Sequence, residues 1–289
     1  MSVHPINNNR ICRDYILCEC KNSFMLNDEI AVLEFFWPGH VPGSGQFFLV
    51  RPLTSSVFLG RPLGAAGFLP GGFGGPGVVR FLLAVRGTGT QELAAIRPGE
   101  KAFLTGPLGR GWNEVSAEAG FGLARHGAVA LVSGGTGIAP LGFLAAELQS
   151  AGILSAEPQS AGLQFDFYAG FKSKAFGFQD LKPRKLVITS EHVPNGYDAF
   201  EGYDISAGLV TDHFSPDSYD AVYACGPEPM IKAAADKCLK AGVPCFVSME
   251  RRMACGAGAC LGCTVRTKAG NRRCCADGPV FNAEDIIFE

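Results

Sequence analysis

Over the first hundred or so residues, apolar side chains come in short runs: DYILCEC, EIAVLEFFW, GQFFLVR, VVRFLLAVR and KAFLTG, parted by Gly, Pro and Asn. The runs are rich in Val, Ile, Leu and Phe and carry no long helical period, which predicts strands. Several short strands joined by turns predict a small antiparallel barrel. Between two of them lies GAAGFLPGGFGGPG, Gly64 to Gly77. It is dense in Gly and Pro and reads as a long, mobile loop.

The pattern changes near Gly127. AVALVS is a continuous apolar run suited to a strand covered on both faces, followed by GGTGIAP and then by LGFLAAELQSAG, which has helical spacing and a terminal glycine. LQFDFYAGF, KLVITSE and DAVYACGP are again strand-like, EPMIKAAADKCLKAG is a helix with Gly242 placed as its C-cap residue, and PCFVSME reads as the last strand. Strands alternating with helices predict a parallel, doubly wound sheet. The expected architecture is therefore multidomain: an N-terminal antiparallel β-barrel over 1–113, an α/β sheet over 124–247 and a small lobe over 248–289.

Composition removes several function classes. A formal net charge of −2 and 18% charged residues offer no pull toward nucleic acid or anionic lipid. No apolar run approaches a bilayer span and the start lacks the layout of a secretory signal, so a soluble, cytoplasmic chain is expected. Eleven cysteines, an odd number in a chain of 289 residues, point to metal ligation rather than disulfide staples.

Five of those cysteines fall in ERRMACGAGACLGCTVRTKAGNRRCCADGPVF, positions 250 to 281. Cys255, Cys260 and Cys263 stand in the C-x4-C-x2-C spacing of plant-type 2Fe-2S proteins, with Cys274 or Cys275 as fourth ligand. Gly256, Gly258 and Gly262 would let the backbone turn its amides toward the sulfurs. A four-thiolate zinc site is the alternative, although zinc sites more often pair their ligands in two C-x2-C knuckles. Spacing alone leaves Cys274 and Cys275 open.

Two glycine turns follow strands of the α/β region. Gly134, Gly135, Thr136 and Gly137 open a helix whose exposed amides suit a pyrophosphate, and Cys225, Gly226 and Pro227 end a second strand at the carboxyl edge where such sheets bind ligands. Read alone, the first is a tight turn and Cys225 a buried thiol. In the barrel, Arg61 at a strand end and the amides and hydroxyl of Gly87 to Thr90 suit one anion. Cys18 and Cys20 share a strand face, and Cys12, Cys238 and Cys245 read as packed thiols. No catalytic Ser-His-Asp or paired-carboxylate arrangement is found.

SMERRMACGAGACLGC followed by CADGPVF resembles the cluster-binding segment of the electron-transfer subunit of class 1B dihydroorotate dehydrogenase, a branch of the ferredoxin reductase superfamily. The resemblance runs nearly the whole chain. It implies Cys275 as fourth ligand beside Cys255, Cys260 and Cys263. It also implies FAD held by Arg61, Pro62, Leu63, Gly64, Leu82, Leu83, Ala84, Gly89 and Thr90, and NAD(H) at Gly134 to Gly137 and Cys225 to Pro227. GPLGRGW, Gly106 to Trp112, matches a motif at the domain junction. The implied partner is an FMN-containing catalytic subunit, two copies of each chain forming the complex. No side chain need act as general base, because the cofactors carry the chemistry. Relatives with the same cofactors serve other complexes, of the ferredoxin:NADP oxidoreductase and sulfhydrogenase types. This sequence departs from the family at Gly64, where a flavin-facing serine is usual, and at Arg251, where an acid is common.

Overall fold

The computed structural model describes residues 15–122, 127–154, 164–192, 199–200 and 203–288. Cys12 and the expected start of the second unit at 124 lie outside them. Strands β1 (Tyr15–Met25), β2 (Ile30–Trp37), β3 (Phe47–Pro52), β4 (Arg61–Leu69), β5 (Gly77–Ala84) and β6 (Lys101–Leu108) close in the order β1-β2-β5-β4-β3-β6. Alternate residues fill the barrel: Leu33 and Phe35 from β2, Phe48 from β3, Val79, Phe81 and Leu83 from β5. Cys18 and Cys20 join this core, and burial pushes their thiols up to about 12 and about 11. They are packing groups.

The Gly/Pro-rich stretch departs from expectation. Half of it is strand β4, paired with both β3 and β5 through a bulge between Ala65 and Gly67, and only Pro70–Pro76 turns, around a short 3-10 segment at Gly72–Gly74. Here glycine serves close packing. An ideal Cβ at Gly77 would overlap the Phe68 ring, so Phe68 can fold across its neighbouring strand only over a bare backbone.

Helix α1 (Thr88–Ala94) follows β5, and α2 (Trp112–Glu118) follows β6. The second unit contains β7 (Ala128–Gly134), α3 (Ile138–Leu154), β8 (Gln164–Phe171), β9 (Lys185–Ser190), β10 (Ala199–Phe200), β11 (Tyr203–Ala207), β12 (Ala221–Cys225), α4 (Glu228–Ala241) and β13 (Cys245–Ser248). Then come β14 (Thr264–Thr267), β15 (Gly270–Arg273), α5 (Cys274–Asp277) and β16 (Val280–Asn282). The eight-stranded sheet runs β10-β11-β9-β8-β7-β12-β13-β16, parallel from β11 to β13 with antiparallel strands at both edges. Thus β13 is not the last strand: Val280–Asn282, too short to register as a strand in the sequence, brings the cysteine-rich segment back onto the sheet. Leu131 packs with α3 on one face, and Val132 packs with Ile231 and Ala234 of α4 on the other, which is the doubly wound arrangement. Gly242 caps α4 with φ 68°, as expected, whereas α3 runs on past Gly152 to Leu154. Cys238 and Cys245 pack together, buried, between α4 and β13.

Helix α3 binds the two units to each other. Leu141, Leu144 and Leu148 face the sheet, while Phe143 enters the barrel core. Beside it, the Glu147 carboxylate accepts the Ser44 N–H at 3.0 Å and the Ser44 hydroxyl at 2.6 Å. Burial outweighs these bonds and raises the Glu147 carboxyl. A raised acid favours the protonated folded state, so this group's contribution is full below the ordinary carboxylate range and is lost as pH rises through the raised value. Glu147→Gln keeps a donor and an acceptor without the charge. Its melting temperature is expected to match wild type at pH 5 and to equal or exceed it at pH 8. Glu147→Ala is expected to lose about 1–3 kcal/mol at both, because Ser44 is left buried without its partner.

Candidate functional site

Strand β4 pairs with β3 through Arg61–Gly64 but with β5 only from Ala65, opposite Phe81, onward. Residues 61–64 and 82–84 therefore flank an interval in the barrel wall that no ladder spans. On its other edge β5 is held by β2, and Val85 N–H donates to the Glu29 carbonyl at 2.8 Å. Ladder alternation then turns the N–H and C=O groups of Leu82 and Ala84 toward the interval. Leu83 points into the barrel core, and Leu82 and Ala84 pack toward the sheet. Gly64 faces Pro140, which a Cβ would approach no closer than 3.8 Å. A planar, hydrogen-bonding ring system fits a slot of this kind. Because nothing crowds Gly64, Gly64→Ser is expected to fold at least as stably as wild type, by roughly 0.5–1 kcal/mol from the strand preference alone. Thermal unfolding of the flavin-free chain checks this, and FAD titration of the same sample reads the effect of the added hydroxyl.

Arg61 opens β4 rather than ending a strand, and its guanidinium lies against Gly89, where an ideal Cβ would come within 2.7 Å of one terminal nitrogen. Among the described residues the Thr88 and Gly89 amides have no acceptor. Guanidinium and amides together fit a phosphate. Thr90 departs from expectation: its hydroxyl accepts the N–H groups of Arg86 and Gly87 at 2.8 and 3.0 Å and donates to the Gly87 carbonyl at 2.8 Å. That is a hydroxyl's full capacity, so Thr90 shapes the turn instead of offering its oxygen to an anion.

The two glycine turns of the sheet lie side by side. β7 and β12 are parallel neighbours, Ser133 opposite Cys225, where the strand order reverses direction. Gly135 has φ 54° and Gly226 φ 155°, and a Cβ on Gly226 would lie 2.8 Å from the Gly134 backbone. Gly137 is closer still to Cys225, with its Cβ position 2.5 Å from the carbonyl carbon. The Cys225 thiol is buried in the sheet core, which pushes its pKa strongly up, so at the edge Cys225 offers backbone rather than sulfur. Gly177, absent from the sequence reading, lies against both Leu82 and Ile138 at 3.3 and 3.4 Å from its Cβ position, and thereby sets the barrel slot beside the Gly134–Gly137 turn.

In the cysteine loop, the Ala257 and Cys260 amides donate to Cys255 Sγ at 3.2 and 3.4 Å, Gly258 N–H to Cys275 Sγ at 3.1 Å, and Cys275 N–H to Cys263 Sγ at 3.4 Å. Against the upward push of burial, the amides bring the Cys255 thiol down to about 6. Backbone amides thus link Cys260 to Cys255 and Cys275 to Cys263, and four thiolates gathered in one segment are what a 2Fe-2S centre takes. Cys274 is wholly buried with its thiol donating to the Met249 carbonyl at 2.9 Å. Gly256 (φ 60°) and Gly258 (φ 75°) are left-handed as expected; Gly262 is not, and Leu261 takes that conformation at φ 59°.

The cysteine loop rests on the barrel. A Cβ on Gly256 would meet Leu49 at 2.6 Å and Leu108 at 3.2 Å, and Leu49 is the β-ladder partner of Pro62. GPLGRGW completes this junction, as Arg110 N–H donates to the Gly278 carbonyl at 2.7 Å and Gln46 Nε2 to the Gly109 carbonyl at 2.8 Å. Arg251 grips Glu228 at 2.9 and 3.2 Å and the Glu250 carbonyl at 2.9 Å, tying the first turn of α4 to the cysteine segment. The departure from an acid therefore forms an internal bridge. Glu250 reaches solvent yet is crowded enough to have its carboxyl raised by desolvation, and its charge acts on both Cys225 and Cys274.

Residues 250–287 match the family described as the iron-sulfur cluster binding domain of dihydroorotate dehydrogenase B. The electron transfer subunit of dihydroorotate dehydrogenase B (NAD(+)) from Clostridium acetobutylicum is 38% identical over 212 residues, 73% of this chain and 74% of that protein. Its counterpart from Caldanaerobacter subterraneus subsp. tengcongensis is 33% identical over 90% of this chain and 93% of its own. Among solved structures, the NADH-dependent reduced ferredoxin-NADP oxidoreductase superposes with a TM-score of 0.74 at 24% identity, covering 95% of this chain and 91% of that one, a likeness of fold. The ferredoxin reductase of carbazole 1,9a-dioxygenase gives 0.60 at 18% identity over 81% and 68%. A barrel, a doubly wound sheet and a paired-thiol loop in this order, with relatives of this extent, place the chain in the family of dihydroorotate dehydrogenase B electron transfer subunits.

Proposed function

We propose that this chain passes electrons between a catalytic subunit, which oxidises dihydroorotate to orotate at FMN, and NAD+, in pyrimidine biosynthesis. Two copies of each chain would form the complex. When bound, FAD and the 2Fe-2S centre link two-electron hydride exchange to single-electron transfer. The residues of this chain bind and orient. Arg61 and the Thr88–Gly89 amides hold the FAD phosphates, while Leu63–Gly64 and the backbone of Leu82–Ala84 form the slot for its ring. Gly134–Gly137 and Cys225–Pro227 seat the nicotinamide nucleotide at the switch point, beside the slot. Cys255, Cys260, Cys263 and Cys275 would hold the 2Fe-2S centre.

The observation that carries this reading is the seat of the Gly256 loop on Leu49, one strand from Arg61–Gly64. It supports the reading because the thiols that would hold the cluster rest on the same barrel wall as the residues that would hold the flavin. An anaerobic visible spectrum of the purified chain, with iron, zinc and flavin analysis, tests it. Iron-sulfur and flavin absorbance that bleaches with NADH is expected, together with dihydroorotate-dependent NAD+ reduction once the catalytic subunit is added. A colourless, zinc-loaded sample unmoved by NADH would sink the proposal.

A further inference from the structure

We propose that Arg273 is a positioning residue of the cysteine loop whose guanidinium makes the 2Fe-2S centre easier to reduce, an assignment that rests on the cluster reading above. Arg273 ends β15, two residues before Cys275. An arginine at a strand end is usually a solvated charge, so its place in the chain decides nothing. Its contacts do.

The Asp277 carboxylate fixes the side chain. It accepts the Arg273 backbone N–H and Nε, both at 2.8 Å, and Nη2 at 3.0 Å. One edge of the guanidinium is thereby taken. The remaining nitrogen, Nη1, turns to the cysteine loop and donates to the Gly258 carbonyl at 3.4 Å. Gly258 in turn donates its N–H to Cys275 Sγ at 3.1 Å. A single glycine therefore stands between the guanidinium and a ligand sulfur. A Cβ on that glycine would sit 3.5 Å from Nη1 and 3.6 Å from Cδ, so the arginine lies along the loop. Its charge acts on both Cys263 and Cys275.

The effect of that charge has a definite sign. Four thiolates leave a 2Fe-2S centre negative, and an added electron makes it more so, so a cation beside the sulfurs favours the reduced form. Asp277 offsets part of the charge, and water screens a side chain that is 38% exposed, which keeps the effect near tenfold in the reduction equilibrium. Lysine would supply the charge without the fork that spans Asp277 and Gly258. Charge and clamp are therefore separable by substitution.

The test uses the full chain with its iron-sulfur centre intact, titrated anaerobically against dyes of known potential while the visible and EPR spectra of the centre are followed. Arg273→Gln is expected to shift the one-electron equilibrium about tenfold toward the oxidised form, a midpoint lower by roughly 59 mV. Arg273→Lys should stay within about half that shift. Asp277→Asn removes the offsetting charge but keeps an acceptor oxygen for the Arg273 N–H, and should raise the midpoint. An unchanged midpoint in Arg273→Gln overturns the assignment while leaving the cluster standing. An equal fall in Arg273→Gln and Arg273→Lys does the same, since it makes Arg273 a clamp alone. If Arg273→Gln assembles no centre, an Asp277→Asn midpoint at or below wild type overturns the assignment. A wild-type chain without iron removes the cluster reading itself.

Discussion

Cys275→Ala is expected to purify without the brown colour and iron-sulfur absorbance of wild type, while Cys274→Ser keeps both. The two thiols are sequence neighbours in α5, both almost wholly buried, yet they meet different surroundings. Cys275 Sγ receives the Gly258 amide and pairs with Cys263. Cys274 turns away and donates to the Met249 carbonyl, a bond that a serine hydroxyl reproduces. Removing Cys275 leaves Cys263 without its companion, and a 2Fe-2S centre needs about four protein ligands. Iron and sulfide analysis with the visible spectrum checks this. Iron lost from Cys274→Ser and kept in Cys275→Ala would reverse the ligand assignment.

The second large effect is expected at Gly137. A Cβ there would lie 2.5 Å from the Cys225 carbonyl carbon and 2.9 Å from the Gly226 nitrogen. Both are backbone atoms at the end of a central strand, so no flexible side chain can yield, and the turn or the strand end must move. Gly137→Ala should destabilise the chain by about 3 kcal/mol, the upper range for overpacking. In a chain of this length that is a fall in melting temperature of roughly 6–12 °C. NADH-dependent reduction of a dye should fall by more than about tenfold, since a displacement of the order of 1 Å suffices for far larger losses in positioned chemistry. Iron and flavin content should persist, because neither site uses this turn. Gly67→Ala in β4 is the control: nothing lies within 4 Å of its Cβ position, and its melting temperature should hold or rise. A Gly137→Ala chain that melts and turns over like wild type would remove the turn from the nucleotide site.

Much of this was legible locally. Five barrel strands showed in their apolar runs, and the α/β alternation showed in continuous apolar segments followed by helical spacing. The missed strand, β4, has small residues where strands usually carry branched ones, so only its ladders to β3 and β5 reveal it. β16 was missed because three residues hold no period. The Thr90 hydroxyl beside glycine amides looks available until the Arg86 and Gly87 amides are seen to occupy it.

The sequence by itself determined the kinds of element, their order, the glycine turns at two strand ends and the C-x4-C-x2-C spacing, since each depends on the period or covalent spacing of a few adjacent residues. Tertiary structure decided how those pieces meet. It alone set Gly89 under Arg61, parted β4 from β5 at the slot, laid the Gly256 loop on Leu49 and turned Cys274 and Cys275 to opposite partners. These are contacts between residues tens to hundreds of positions apart. Their energies come from shape-matched packing and paired polar groups across the fold, which no local pattern of side chains records.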